Sequence, residues 1–138
     1  MLNNSKIGLI GLGNMGKPIF EHLIKKNKHV FCFDKDRTKI EKGYKSLTIE
    51  KIFDECGVII FCIESNKQIN QIIKKYKINK NTIFIDLTTS LPETTKSISS
   101  YLKNYESFYF DAAMSGGASG ALHATLTLMV GGNKVIFE

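Results

Sequence analysis

Short apolar runs alternate along the chain with longer stretches whose apolar positions keep a helical rhythm. Residues 6–10 form a β-rich run that meets glycines at once. Over residues 15–26, Ile19, Phe20, Leu23 and Ile24 recur at helical spacing. Residues 30–34 read as a second strand ending on an acid. A short helix is expected over residues 37–42, stopped by Gly43, and then a weak strand over 44–47. Thr48 stands where a cap opens a helix to Glu55, although Lys51 takes the place of the acid that a capping box needs. Residues 58–63 are continuously apolar, as in a strand covered on both faces. Residues 66–76 put Ile69, Ile72, Ile73 and Tyr76 on one side of a helix. Residues 82–86 read as another buried strand. Pro92 opens a helix to about Lys103, where proline at the first turn is tolerated. Residues 108–111 and 126–130 are the last strands, and a helix begins near Lys134.

This order of strands and helices predicts an α/β fold: a doubly wound, mostly parallel sheet with helices on both faces. The 138 residues suffice for one compact domain, and no repeat or linker divides them. Lys plus Arg exceeds Asp plus Glu by 19 to 13, a net charge of +6. The basic side chains are scattered, Arg37 is the only arginine, and the lysine pairs sit on helices among polar residues. They read as solvated faces rather than a nucleic-acid surface. No apolar run reaches the ~18 residues of a membrane span, and the polar start has no signal-like stretch, so a cytoplasmic protein is expected. Cys32, Cys56 and Cys62 form no Cys-x-x-Cys pair and read as buried reduced thiols. His22, His29 and His123 lack metal-ligand spacing, and no metal site is expected.

Gly11-Leu12-Gly13-Asn14-Met15-Gly16 follows the first strand and opens the first helix, and Asp34 ends the next strand. That context gives a Gly-x-Gly-x-x-Gly motif its meaning. Gly11 permits the tight turn, Gly13 lets the backbone approach a pyrophosphate, and Gly16 lets helix and strand pack closely. The helix N-terminus then offers free N–H groups to phosphate. The alternative, a Gly-x-x-x-x-Gly-Lys phosphate loop, fails at Pro18, which stands where a magnesium-binding Ser or Thr is needed. Asp34 is placed to accept from both hydroxyls of an adenosine ribose, and its charge opposes a 2′-phosphate, which favours NAD over NADP. Lys35 and Arg37 follow closely and are able to neutralise such a phosphate, so NADP stays open.

Two further segments fall at the carboxyl ends of strands, where an open sheet presents ligands: residues 86–92 (DLTTSLP) and 111–117 (DAAMSGG). Hydroxyls and bare N–H groups there suit a small carboxylate. Helix caps at Thr89 or Ser90, and a flexible glycine turn at 115–117, account for the same residues. Ser119 is no nucleophile elbow, because Ala121 replaces the second glycine.

Residues 7–16 (IGLIGLGNMG), 86–92 and 111–132 together resemble the β-hydroxyacid dehydrogenase family, the group of 3-hydroxyisobutyrate dehydrogenase and tartronate semialdehyde reductase. The resemblance spans essentially the whole chain and also takes in the NAD(P)-binding domain of 6-phosphogluconate dehydrogenase. It implies a Rossmann-like domain over residues 1–138 and a nicotinamide cofactor. Gly11, Leu12, Gly13, Asn14, Met15, Gly16 and Asp34 match its dinucleotide ligands. Cys62 and Ile63 fall where the family's Leu-Pro lines the cofactor, and Thr89 matches the threonine that reaches toward the nicotinamide. Ser115, Gly116 and Gly117 match its substrate-carboxylate anchor. Leu87-Thr88-Thr89 places the chain nearer the hydroxyisobutyrate branch. Departures are Ala113-Met114 for Pro-Val, Ala124 for Gly and Thr88 for Ser.

In this family a lysine on a helix beyond the sheet exchanges the proton, and an all-helical domain follows. Lys134 comes too early to match that lysine. The resemblance therefore implies a domain truncated near its C-terminal end, with no catalytic residue of its own and no turnover alone. A stand-alone dinucleotide-binding module, and a subunit completed by a separately encoded helical half, are the alternatives. Self-association through the strand at 125–130 is expected, as are a small carboxylate substrate and no nucleic-acid or membrane partner.

Overall fold

The structure is a computed structural model that describes residues 5–138; the polar start at residues 1–4 lies outside the described residues. Six strands form one sheet: β1 (Ile7–Ile10), β2 (Val30–Phe33), β3 (Val58–Phe61), β4 (Ile83–Asp86), β5 (Phe108–Ser115) and β6 (Thr127–Gly131). Their order is β2-β1-β3-β4-β5-β6. The first five run parallel, and β6 returns antiparallel to β5.

Helices cover both faces, and strand alternation decides which residue meets which. On one face α1 (Gly16–Lys26) sets Phe20, Ile19 and Leu23 against Leu9, Val30, Cys32 and Ile60. On the other, α2 (Ile49–Glu55), α3 (Asn66–Lys75) and α4 (Pro92–Lys103) bring Ile52, Phe53, Ile69, Ile73, Ile98 and Leu102 onto Ile59, Phe61 and Phe84. Central β3 is therefore buried at every position, which explains its unbroken apolar run. The chain leaves β1 for β2 on one side, then crosses to β3 on the other. That reversal opens a crevice beyond the carboxyl ends of β1 and β3.

The helix expected over residues 37–42 is instead a single 3₁₀ turn, Arg37–Lys39. Asp36 accepts from both the N–H and the hydroxyl of Thr38, and Ile40 is already extended, so the turn ends after three residues. The weak strand over 44–47 shrinks to one parallel bridge, Ser46 beside Cys32. Thr48 does cap α2, accepting from Lys51 N–H at 3.2 Å. β5 runs four residues past the expected end at Asp111, because its outer half pairs with β6 from Asp111–Gly131 to Ser115–Thr127. A further helix, α5 (Gly117–His123), opens on the glycines at 116–117 in a stretch for which no element was expected, and α6 (Lys134–Phe137) closes the described chain. All five β6 residues are exposed, Leu128 and Met129 by 50% and 57%. No described helix is long and apolar enough to cross a membrane.

Candidate functional site

The loop after β1 is held from both neighbouring strands. Gly11 N–H donates to Phe33 O, and Cys62 N–H donates to Ile10 O, each at 2.9 Å. Gly11 has φ +107°, and a Cβ there would lie 2.1 Å from Cys62 O. A Cβ on Gly16 would lie 1.9 Å from Gly11 O, so α1 starts directly on the loop. Gly13 differs: nothing lies within 4 Å of its Cβ position. Its freedom from protein contact leaves a bare stretch of backbone facing the cleft.

The start of α1 is equally bare. Among the described residues the N–H groups of Gly13, Asn14, Met15 and Gly16 have no protein partner, and Pro18 has no N–H. Met15 at the cap makes no side-chain bond, and the first turn holds no acid. Unpaired N–H groups and the positive end of an eleven-residue helix make an anion cradle.

Asp34 stands beside this loop just past β2, 8% exposed. Its Oδ2 accepts from Leu12 N–H and its Oδ1 from Asp36 N–H, both at 2.8 Å. The carboxylate thus clamps the glycine loop to β2 and keeps one lone pair per oxygen for a ligand. Leu12 is placed differently from its neighbours. Its side chain is buried in the core, and only its N–H serves the site.

Across the cleft, β4 ends on Asp86, which is fully buried. Asp86 accepts from Thr88 N–H at 2.7 Å, from Tyr109 OH at 2.6 Å and from Ser90 Oγ. Thr88 Oγ1 in turn accepts from Ile63 N–H at 3.3 Å. These bonds fold residues 86–90 against the loop after β3 and leave Thr89 exposed at the cleft wall. Burial and the hydrogen bond to Asp86 push the Tyr109 phenol far above its usual value, so it remains a donor. Burial and the Asp86 charge also raise Asp111, which pairs with Asp86 across the β4–β5 register. Replacing Tyr109 with Phe is expected to lower stability by about 1–3 kcal/mol, because a buried carboxylate loses a donor. Urea denaturation at neutral pH measures it, and an unchanged midpoint would show that Tyr109 does not hold Asp86.

The cleft between these walls has a volume of about 570 Å³. Gly11, Gly13, Asn14, Met15 and Gly16 line it, and so do Asp34, Cys62, Ile63 and Thr89. Burial, with a smaller contribution from Asp86, pushes the Cys62 thiol up to about 11, so it is an apolar lining group at neutral pH. Ser115, Gly116 and Gly117 do not line this cleft. They are exposed at the end of β5 and the start of α5, one residue beyond Met114, which does line it. Arg37 is likewise absent from the lining, where Lys39 appears beside Lys35. Sequence reading passed over Lys39, Gln68, Gln71 and Ile72. The last three share one face of α3, and the spacing 68, 71, 72 on the helix that follows the switch-point strand was the available signal.

A switch-point cleft with a bare glycine loop, a helix N-terminus and an acid after β2 defines a dinucleotide-binding domain of the Rossmann type. The open space at Gly13 and the unpaired N–H groups accommodate a pyrophosphate, and the free lone pairs of Asp34 accommodate a ribose diol. Residues 6–138 match the family described as the NAD binding domain of 6-phosphogluconate dehydrogenase, and the chain belongs to that family of NAD(P)-binding domains. It is 35% identical to an uncharacterized oxidoreductase, YkwC, of Bacillus subtilis, over 96% of this chain and 49% of the relative. It is 32% identical to the mitochondrial 3-hydroxyisobutyrate dehydrogenase of Drosophila melanogaster, over 96% of this chain and 43% of that enzyme. Among solved structures, the 3-hydroxyisobutyrate dehydrogenase of Mycobacterium tuberculosis with L-serine superposes with a TM-score of 0.89 at 26% identity, over 96% of this chain and 48% of that one. The chain spans about half the length of the relatives it matches.

Proposed function

We propose that this chain is the cofactor-binding half of an oxidoreductase that moves hydride between a nicotinamide and a small 3-hydroxy acid. The observation that carries the reading is the pairing of unpaired N–H groups at Gly13–Gly16 with the Asp34 carboxylate in one cleft. When bound, the nicotinamide ring supplies the hydride acceptor or donor. The glycine loop then holds the pyrophosphate and Asp34 holds the adenosine ribose. Cys62, Ile63 and Thr89 wall the cleft across from them. Ser115, Gly116 and Gly117 anchor the substrate carboxylate just outside the cleft, next to Met114. Calorimetric titration tests the cofactor assignment. NAD is expected to bind, and more tightly than NADP, because Asp34 accepts from a free ribose diol. No heat of binding with either dinucleotide would overturn the reading.

The proton acceptor of the reaction comes from outside residues 1–138. Support for this is the mismatch of Lys134 with the family's lysine and the half-length match to the relatives. The 138-residue chain is expected to bind NAD yet show no NAD reduction with 3-hydroxyisobutyrate, glycerate or 4-hydroxybutyrate. A positioned acid/base contributes ~10²–10⁴-fold, and an open cleft leaves the reacting carbons poorly aligned. Turnover near ~10 s⁻¹ would place the base among the chain's own lysines. The exposed apolar side chains of β6 also support self-association of this chain through its sheet edge. Light scattering is expected to show dimers or larger species, and a stable monomer would count against it.

A further inference from the structure

Two buried polar side chains stand behind the cleft wall. Asp86 ends β4 and Tyr109 lies on β5; they are 0% and 5% exposed, and neither lines the cleft. The Tyr109 OH donates to Asp86 at 2.6 Å. Packing alone does not call for such a pair, because two apolar groups of the same shape would serve a core about as well. What the pair holds in place explains it better.

Three donors converge on Asp86. Tyr109 OH comes from β5, and Thr88 N–H and Ser90 Oγ come from the loop that follows β4. The rest of that loop is tied as well. Leu87 N–H donates to Phe61 O at 2.9 Å, and Thr88 Oγ1 accepts from Ile63 N–H. Leu91 O accepts from Asn66 Nδ2 at 3.4 Å and from Thr95 N–H at 3.1 Å. Thr89 is left as the one residue of 87–91 with no hydrogen bond among the described residues, and it is exposed on the cleft wall. A loop fixed on each side of one free residue presents that residue in a defined place.

The sheet order sets which half of a dinucleotide meets this loop. Asp34 marks β2 as the adenosine side, and the glycine loop after β1 takes the pyrophosphate. With the order β2-β1-β3-β4, the other half of the ligand extends over the ends of β3 and β4, where Ile63, Thr88 and Thr89 line the cleft. We propose that Asp86 and Tyr109 are positioning residues for the nicotinamide half: they touch neither cofactor nor substrate, and they hold the 87–90 loop so that Thr89 meets the ligand in one place. This rests on the cofactor reading above. Because β5 continues from Tyr109 to Ser115, the nicotinamide wall and the carboxylate anchor are both referred to one strand.

NADH and ADP-ribose isolate the nicotinamide, because the second keeps the adenosine and the pyrophosphate and lacks the ring. Binding of each to the 138-residue chain is followed by calorimetry, and of NADH also by its fluorescence. The variants are Tyr109→Phe, Asp86→Asn, Thr88→Val and Thr88→Ser. NADH is expected to bind the natural chain more tightly than ADP-ribose. Tyr109→Phe and Asp86→Asn are expected to weaken NADH by about tenfold and to leave ADP-ribose within about twofold. Thr88→Val loses the acceptor for Ile63 N–H and is expected to do the same, whereas Thr88→Ser keeps the natural affinity. In a Thr89→Ala background the Tyr109→Phe loss is expected to shrink to about twofold, since the pair acts through Thr89. Should a buried variant fail to fold, the two Thr88 variants make the same comparison. A parallel loss of both ligands, or an unchanged NADH affinity in every folded variant, overturns the proposal. Natural-chain NADH binding no tighter than ADP-ribose also overturns it and leaves the cofactor reading standing, whereas binding of neither ligand overturns the cofactor reading beneath it.

Discussion

Replacing Gly13 with valine is expected to leave the fold intact and to remove NAD binding, whereas alanine at Gly11 or Gly16 removes the fold's local geometry as well. The three glycines share one motif but not one physical role. At Gly13 a Cβ meets no atom within 4 Å, so valine there costs the protein little, within about ±0.5 kcal/mol. The added methyls instead fill the space that a pyrophosphate must occupy, and affinity is expected to fall by at least about a hundredfold. At Gly16 a methyl would sit 1.9 Å from a backbone oxygen, and at Gly11 2.1 Å from another. Neither oxygen belongs to a flexible side chain, so strands or helix must move apart. Overpacking of that kind costs about 1–3 kcal/mol, and the φ of +107° at Gly11 adds strain for any residue with a Cβ. Thermal denaturation and NAD titration on the three variants separate the roles. A Gly13 variant that binds NAD normally would place the pyrophosphate elsewhere.

Asp34→Ala is expected to act twice. It strips the acceptor from the buried Leu12 N–H and from Asp36 N–H, which lowers stability by about 1–3 kcal/mol. It also removes the acceptor for the ribose diol, and NAD affinity falls by a further ~1–3 kcal/mol. The two effects are measured apart by urea denaturation without ligand and calorimetry with saturable NAD. Asp34→Asn keeps one oxygen and is expected to fall between the natural chain and Asp34→Ala in both. A variant that loses stability but keeps its affinity would reduce Asp34 to a clamp on the loop.

The parts of the fold that were readable in the sequence are those that leave a local pattern of apolar positions or a boundary residue. α4 begins at Pro92 and ends at Lys103 as its pattern indicates, and the continuous apolar run at β3 shows burial on both faces. The outer half of β5 was not readable, because its residues are mostly exposed or half-buried and are held in the sheet by pairing with β6, which an apolar pattern does not record. α5 was missed for a similar reason. Gly117-Ala118-Ser119-Gly120 is poor helix material, and contacts from elsewhere shape it: Gly120 packs on Leu126, and His22 on α1 meets Leu122 O at 2.9 Å. The 3₁₀ turn after Asp36 is opened by the Asp36 side chain capping Thr38 N–H and is ended by extended backbone at Ile40, which the apolar pattern does not show.

For the site, motif spacing brought out the glycine loop and Asp34, and the family resemblance brought out Cys62, Ile63 and Thr89; apart from Leu12, these line one cleft. Leu12 belongs to the same motif but points into the core, a distinction that only the packing draws. Lys39 falls in residues 37–42, which read as a helix; in the structure it ends a three-residue 3₁₀ turn and lines the cleft.

The contact between Gly11 and Cys62 O leaves no slack between the first loop and the third strand. Cys62 N–H, on the same residue, is bonded to Ile10 O. The glycine loop and the wall beside residues 62–63 therefore form one unit, with a span set by backbone rather than by adjustable side chains. Directed evolution of such a cleft has little to gain from repacking this junction. Variation has to enter from the rim, through the exposed side chains of Lys35 and Lys39 on one side and Thr89 on the other.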